Sequence, residues 1–468
     1  MKNKNGFISM SLVYSFLIIF LFLMTAIINC YLQKNTYLEA LDKQVSKDIG
    51  ITQEAKASIF TTILEDNIAL RTTTLDYKDV SNNSNQNGKG LYYVEDTEET
   101  DENNDGYGTK IYFFRGPVDN NNVIFGSKLT RDEQKNVEIQ EGICWKILRT
   151  NEDGSVRLIY NGLSSGSSCP GTNPSIGSVP YGGVTRTLNN GVITEVFHDT
   201  DNAYIGFTYG EINVISDGTQ TSNSLYNKTH YEGQGHSVID SRIKELLEEY
   251  LVNETNLYYS TELSYIDASD PNKKKEIIMQ DDKIANAIYC NNRNIYTTEK
   301  QEEIKNRFGI DFFTNDILGS ETDTMLGYGK NVTLYKGYNS IKGIPSFMCE
   351  QSIDRYTLST VMGGTNEHTN ALDYAIGLPT VDEIVFAGGA YKKTNNDYYL
   401  RTGNSYWTMT PAAFTDSKSK MYYVKDDGSI DVTSSITTNI AVRPVISIDQ
   451  DTLVKKGVGT EDEPYVLK

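Results

Sequence analysis

The sequence predicts an α+β extracellular head joined to an N-terminal transmembrane helix. An uncharged apolar stretch, residues 7–32, exceeds the ~20 residues needed to cross a bilayer. The rest of the chain is polar and acidic, and the whole chain of 468 residues has a net charge of −19. Many short strand-like segments separated by turn residues, together with two segments of helical periodicity, predict a head that mixes strands and helices.

Composition and periodicity divide the chain into three parts. Residues 1–35 form a leader and the transmembrane helix, and residues 107–468 form the head. Between them, residues 36–106 are interpreted as a helical stalk followed by a polar linker. Within the stalk, Thr52 is a candidate N-cap for a helix that runs to about Asp66.

The flanks of the apolar stretch predict its orientation. Lys2 and Lys4 precede it and favour a cytoplasmic N-terminus, which places the head outside the cell. A removable signal peptide is disfavoured because its apolar core spans only about 7–15 residues and ends at a small-residue site. A lipoprotein signal would use Cys30, but Asn29 stands where a small residue is required.

Four cysteines lie beyond the apolar stretch, and an even number on an oxidising face predicts two disulfides. Proximity in the sequence pairs Cys144 with Cys169 and Cys290 with Cys349. Structural zinc is the competing interpretation. The absence of a C-x-x-C spacing and the scattered histidines count against it.

Within the head, one hairpin and two helices are the clearest elements. The dipeptide Asp153-Gly154 separates two strand-like segments and is a typical hairpin turn. Residues 238–252 carry an apolar stripe at helical spacing, with Ser237 or Asp240 as the N-cap. A second helix is predicted from Thr380 to Ala387, and the next two residues, both glycine, end it.

Charge and motifs exclude several classes of function. A net charge of −19 makes nucleic acid a poor partner. The acidic loop at 101–106 is a candidate Ca²⁺ site, but it lacks the ligand pattern of an EF-hand, so no cofactor is expected. Neither a Gly-x-Ser-x-Gly nor a Walker motif occurs, and the sequence shows no catalytic constellation. We therefore expect a protein that is not an enzyme.

At the N-terminus a short basic leader, residues 2–5, is followed by Gly6-Phe7 and then by the long apolar stretch. This arrangement resembles the N-terminus of type IV pilins and pseudopilins. The resemblance implies cleavage after Gly6, methylation of Phe7 and packing into a filament with other pilin subunits. The family usually carries Glu at the fifth mature position, where this chain has Ser11. A plain membrane anchor is the alternative.

Eight segments of the head occur in this order along the chain: 112–116, 118–121, 144–149, 157–162, 289–293, 377–383, 406–411 and 442–448. Together they resemble an uncharacterised domain family of Gram-positive surface proteins. Through residues 378–383, 387–389 and 443–445, the later half of the head is also similar to the formylglycine-generating fold, a relative of C-type lectins. The enzyme of that fold needs a copper-binding cysteine pair near its C-terminus, and no cysteine follows Cys349. The resemblance therefore implies a scaffold for display and binding.

Seven residues form the motif of this resemblance: Trp145, Pro379, Thr380, Glu383, Trp407, Arg443 and Pro444. We expect both tryptophans to pack in the core, with ligand stacking as the alternative. Glu383 is expected to cap its helix or to pair near Arg443 or a lysine rather than act as a general acid. Arg443 is expected to be a buried ion-pair partner.

These observations predict a cell-surface binding or adhesion protein, membrane-anchored or pilus-associated, whose head binds a surface glycan or protein. The alternative is a structural minor pilin or pseudopilin in a type IV pilus or a related secretion filament. An enzyme of the formylglycine-generating type is the least favoured interpretation.

Overall fold

The computed structural model describes parts of the unit that extends from Ala57 to Lys468. They are 57–71, 75, 89–95, 110–131, 137–182, 185–187, 194–196, 207–209, 212–214, 220–222, 239–258, 264–266, 274–276, 280–291, 324–325, 345–349, 355–358, 370–415, 418–433 and 435–468.

The described residues contain three α-helices, one 3₁₀-helix and 26 strands. The helices are α1 (Ile59–Asp66), α2 (Arg242–Glu254) and α3 (Val381–Ala387), and the 3₁₀-helix is Asp281–Lys283. The strands are β1 (Leu70–Arg71), β2 (Gly90–Glu95), β3 (Lys110–Arg115), β4 (Asn122–Arg131), β5 (Val137–Thr150), β6 (Val156–Leu163), β7 (Ser178–Val179), β8 (Thr185–Thr187), β9 (Thr194–Val196), β10 (Thr208–Tyr209), β11 (Ile212–Val214), β12 (Gln220–Ser222), β13 (Ile239–Asp240), β14 (Ser264–Ile266), β15 (Lys274–Glu276), β16 (Tyr289–Cys290), β17 (Thr324–Met325), β18 (Arg355–Leu358), β19 (Asn370–Leu372), β20 (Tyr406–Thr415), β21 (Lys418–Val424), β22 (Ile430–Val432), β23 (Ile440–Ala441), β24 (Val445–Ile448), β25 (Val454–Lys456) and β26 (Tyr465–Leu467).

Two large sheets organise these strands. The nine-stranded sheet has the order β1-β2-β3-β5-β4-β26-β25, with β6 also beside β5 and β24 beside β6. The six-stranded sheet has the order β22-β21-β20-β23-β7, with β17 beside β20. A three-stranded sheet, β16-β18-β19, and four two-stranded sheets complete the described strands.

The predicted α+β, C-type-lectin-like class is wrong: the described part of the chain is mostly β. The helices are few and short, at 8, 13 and 7 residues. Many aromatic and β-branched segments bounded by Gly, Asn and Asp form short strands instead, which is the outcome that these residue types favour. Local periodicity located α3 correctly but overestimated the share of helix.

The predicted hairpin around Asp153-Gly154 is confirmed as β5–β6. Gly154 has a φ of +83°, a conformation that glycine adopts without steric cost. One carboxylate oxygen of Asp153, Oδ1, accepts hydrogen bonds from the backbone N–H and the hydroxyl of Ser155, at 2.9 and 2.6 Å. The register that this turn sets places Arg149 opposite Arg157.

Helix α2 begins later than predicted. Ser241 is its N-cap, and the Ser241 hydroxyl accepts a hydrogen bond from the Lys244 N–H at 3.2 Å. The proposed Asp240 cap is wrong because Asp240 belongs to β13, which pairs with β10. The other candidate cap, Ser237, lies outside the described residues. Three residues of the predicted stripe are fully buried: Ile243, Leu247 and Leu251.

Both predicted disulfides are present. The Cys144–Cys169 bond lies within the nine-stranded sheet region, and both residues are buried. The Cys290–Cys349 bond joins β16 to the described segment 345–349. Pairing by proximity in the sequence was therefore correct.

No helix in the part of the chain that the structure describes is long and apolar enough to cross a bilayer. The transmembrane helix was predicted over residues 7–32, which lie outside the described residues. The same holds for the following predicted features: Gly6, Phe7, the acidic loop 101–106 and all four histidines. The helix predicted from a Thr52 cap to about Asp66 is present as α1 and ends at Asp66, but its predicted start is wrong. It begins at Ile59, and its N-cap is Ser58, whose hydroxyl accepts a hydrogen bond from the Thr61 N–H at 3.2 Å.

Candidate functional site

Helix α3 presents Glu383 to the interior from its first turn. The Thr380 hydroxyl accepts a hydrogen bond from the Glu383 N–H at 3.2 Å, and Glu383 Oε2 accepts one from the Thr380 N–H at 2.9 Å. This reciprocal arrangement is a capping box, which satisfies two N–H groups that would otherwise lack partners. The cap therefore fixes both the start of the helix and the position of the carboxylate.

Glu383 forms a buried ion pair with two arginines of the β5–β6 hairpin. Its Oε1 lies 2.9 Å from Nε of Arg149 and 2.7 Å from Nε of Arg157. All three side chains are at most 8% exposed. We call Arg149, Arg157 and Glu383 the ionic centre.

Aromatic rings and carbonyls complete the surroundings of the two arginines. The Arg149 guanidinium lies 4.7 Å from the centroid of the Phe347 ring, and that of Arg157 lies 4.5 Å from the centroid of Tyr289. Arg157 also donates to the Ile288 carbonyl at 2.9 Å. Cation–π contacts strengthen when water is excluded, as it is here.

Two adjacent carboxyl groups of α3 have opposite pKa shifts. Burial by itself raises the pKa of Glu383, but the charges of Arg157 and Arg149 outweigh it, so the pKa lies below its usual value. Burial raises the pKa of Asp382 well above its usual value, although Asp382 Oδ1 accepts a hydrogen bond from the Ser346 N–H at 2.9 Å. The pKa of Glu383 is therefore the lower of the two.

The C-terminal end of α3 is also held by an arginine. Arg115 Nη1 donates to the Val385 carbonyl at 2.7 Å and to the Phe386 carbonyl at 2.9 Å. A cation at this end complements the helix dipole. Gly388 ends the helix with a φ of +126°, as the predicted glycine stop requires.

Arg443 occupies a different buried site. Its Nε and Nη2 donate to the Tyr160 carbonyl at 3.1 and 3.0 Å, and Nη1 donates to the Leu400 carbonyl at 3.0 Å. The guanidinium also lies 4.8 Å from the centroid of the Tyr406 ring. We call Arg443 and these partners the carbonyl site. The prediction that Glu383 pairs near Arg443 is wrong, because Glu383 forms its ion pairs with Arg149 and Arg157.

The remaining motif residues lie in the core. Trp145 and Trp407 are fully buried, and each indole N–H donates to a strand carbonyl, that of Phe125 at 2.8 Å and that of Val179 at 2.9 Å. The Pro379 carbonyl accepts from the Met409 N–H, and the Pro444 carbonyl accepts from the Tyr160 N–H, both at 2.8 Å. In this conformation neither indole faces solvent, so the two rings contribute packing and hydrogen bonds.

The contacts of the ionic centre define its chemistry. Glu383 Oε1 lies against two guanidinium groups, and Oε2 accepts a backbone N–H, so both oxygens are engaged within the protein. An ionised carboxylate with a lowered pKa is a poor proton donor. Within the described ranges, no group of three or more His, Cys, Asp or Glu residues could hold a metal ion.

Sequence reasoning missed Arg149, Arg157 and Phe347. A signal for the arginines was present: they are separated by the Asp153-Gly154 turn, and the β5–β6 register places them opposite each other. Like charges at opposed positions are destabilising, which predicts a carboxylate between them. For Phe347 no local signal exists, because its partners Phe113 and Phe386 are distant in the sequence.

A comparison of the chain with protein-family models, curated proteins and solved structures finds no match.

Proposed function

We propose that the protein is a disulfide-stabilised binding protein displayed on the outer face of a membrane, to which the apolar stretch 7–32 attaches it. The observation that carries the proposal is the pair of disulfides, Cys144–Cys169 and Cys290–Cys349. Disulfides persist in oxidising compartments and are rare in the cytosol.

The interior of the described unit is consistent with a scaffold for binding. The ionic centre, Arg115 and Arg443 are all engaged with protein groups. Such satisfied buried contacts rigidify a fold and leave the surface to vary. The ligand class that we propose is the surface glycan or protein that the sequence predicts, bound by the exposed loops that a rigid scaffold presents.

The first test uses intact cells that express the full chain. A membrane-impermeant amine reagent should label lysines of residues 57–468, and mass mapping should recover both disulfides from the same preparation. The second part compares adhesion of these cells to immobilised glycans and proteins with adhesion of cells that carry residues 1–56 alone. Labelling only after lysis, or free thiols at all four positions, would contradict the proposed location. Equal adhesion of the two cell types would contradict the binding role.

A structural minor pilin remains a second candidate because Gly6-Phe7 matches a prepilin processing site. The mass of the N-terminal peptide tests it. A peptide that begins at a methylated Phe7, recovered from sheared filaments, would support the filament role. A peptide that retains Lys2 would exclude processing and favour the plain anchor.

A further inference from the structure

The segment 345–349 covers the ionic centre without being part of a sheet. Ser346 donates its backbone N–H to Asp382, and the Met348 N–H donates to the Ser346 hydroxyl at 3.1 Å. Among the backbone–backbone hydrogen bonds between described residues, none involves this segment. Its described attachments include the packing of Phe347 against the core and the Cys290–Cys349 disulfide.

Phe347 makes the packing contacts of this segment. Its ring stacks on Phe386 with centroids 3.9 Å apart and an interplanar angle of 24°, and it meets Phe113 edge-on at 5.7 Å. The same ring lies over the Arg149 guanidinium at 4.7 Å. Phe347 thus covers both an apolar face of α3 and one cation of the ionic centre.

The covalent link lies two residues further along the chain. Cys349 is bonded to Cys290 of β16, and its carbonyl accepts a hydrogen bond from Nε of Arg355 in β18 at 2.8 Å. Because β16 and β18 pair with each other, the link fixes the segment to a sheet. The segment is attached to α3 by the Ser346–Asp382 hydrogen bond and by the stacking of Phe347 on Phe386.

The two disulfides differ in exposure. Cys144 and Cys169 are 0% and 1% exposed, whereas Cys349 is 7% exposed and Cys290 is partly exposed. Thiol–disulfide exchange requires access of the attacking thiolate to a sulfur atom. The Cys290–Cys349 bond is therefore the more accessible of the two.

We propose that the Cys290–Cys349 disulfide is a redox-sensitive latch that keeps Phe347 over the ionic centre. A dithiol reductant opens it by two exchange steps. In the first step, one thiolate of the reductant attacks one sulfur of the Cys290–Cys349 bond, which forms a mixed disulfide and releases the other cysteine as a thiolate. In the second step, the other thiolate of the reductant attacks the reductant sulfur of the mixed disulfide, which forms the disulfide of the reductant and releases the second protein thiolate. The products are two protein thiols and one oxidised reductant, with two electrons and two protons transferred. Opening lets segment 345–349 leave α3, so that water reaches Arg149 and Glu383.

The test uses the full chain in detergent micelles with dithiothreitol as the reductant. Differential alkylation with mass mapping should show Cys290 and Cys349 labelled on the order of tenfold sooner than Cys144 and Cys169. When Cys290 and Cys349 are reduced and the other disulfide is still intact, the rate of amide hydrogen exchange should rise on the order of tenfold in peptides that cover 345–349 and the first turn of α3. Peptides from the β5–β6 hairpin should keep their protection.

Two variants separate the latch from general loss of structure. In Phe347→Ala the first turn of α3 should already exchange faster in the oxidised protein, and reduction should add little. In the matched control, Cys144→Ser with Cys169→Ser, reduction should still open the segment. Simultaneous labelling of all four cysteines, unchanged exchange at α3 after selective reduction, or parallel loss of protection in the β5–β6 hairpin would each overturn the proposal.

Discussion

Two buried guanidinium sites in this protein are stabilised in different ways. In the ionic centre, Glu383 lies between Arg149 and Arg157 at 2.9 and 2.7 Å. In the carbonyl site, Arg443 donates to the carbonyls of Tyr160 and Leu400 and lies over the Tyr406 ring. Burial is the largest cause of the lowered pKa of Arg443, and the groups that most strongly oppose this lowering are tyrosines, Tyr406 first and then Tyr398 and Tyr399.

The difference shows what each site depends on. The ionic centre joins two elements far apart in the sequence, the β5–β6 hairpin and α3, through one carboxylate. Removing one partner of a buried ion pair leaves an uncompensated charge, which is strongly destabilising. In the carbonyl site, the charge of Arg443 interacts with peptide carbonyl dipoles and an aromatic ring. Removal of the Arg443 side chain leaves unsatisfied carbonyls, which cost less free energy than an unpaired buried charge.

The largest effect is expected for Glu383→Ala, with a loss of about 3–5 kcal/mol in the free energy of unfolding. The substitution leaves Arg149 and Arg157 opposite each other with no carboxylate between them. Denaturant unfolding measures this loss. The control is Glu141→Ala at an exposed position on β5, whose free energy of unfolding should stay within about 0.5 kcal/mol of that of the parent protein. A loss below about 1 kcal/mol would show that water or another group neutralises the arginines.

A smaller loss, about 2–3 kcal/mol, is expected for Arg443→Met. Methionine keeps much of the side-chain volume, but the Tyr160 and Leu400 carbonyls lose their donor. The control is Arg401→Met, since Arg401 is exposed. Should Arg443→Met prove as costly as Glu383→Ala, the proposed difference between the two sites would be wrong.

Acid should distinguish the two sites. The folded pKa of Glu383 is below its unfolded value of ~4.3, so its stabilisation is present above that value and is lost as the pH falls through the folded pKa. The destabilisation caused by Glu383→Gln should therefore become smaller as the pH falls from 7 to 3. The destabilisation caused by Arg443→Met should stay constant over the same range. Tyr398 and Tyr399 act on Arg443, and burial raises the pKa of both far above this range, so neither titrates in it. Unfolding curves at several pH values measure both, and parallel pH profiles would contradict the assignment.

The smallest effect is expected for Thr380→Ala, about 1 kcal/mol. The substitution removes the helix cap and loosens the Glu383 carboxylate. A double-mutant cycle with Glu383→Ala should be non-additive, because the two residues share the capping box. The control is Ser241→Ala, the cap of α2, whose effect should add to that of Glu383→Ala. Additivity for Thr380 would mean that the cap does not position the carboxylate.

Much of the local structure was predictable because its causes are local. The Asp153-Gly154 turn, the Thr380 cap and the Gly388 stop each depend on residues within one turn of the chain. The mostly-β class of the described residues was not predictable in the same way. Whether a short apolar segment becomes a strand depends on a partner strand, and the partners here are often distant, as β26 is from β4.

The candidate site shows the same limit. The sequence predicted Glu383 at a helix start and Arg443 as a buried residue, both correctly, but it joined the wrong pair. Whether Glu383 pairs with Arg443 or with Arg149 and Arg157 depends on how α3 packs on the β5–β6 hairpin. Arg149 and Glu383 are 234 residues apart in the sequence. No periodicity or spacing carries that information.

By itself the sequence determined the turns, the caps of α3, the even set of four cysteines and the acidic surface, since these follow from residue chemistry over short distances. Only the tertiary structure decided which cations meet Glu383, why Arg443 needs no carboxylate among the described groups, and where Phe347 lies. The physical reason is burial. A charge or a ring removed from water must be satisfied by whatever the fold brings beside it.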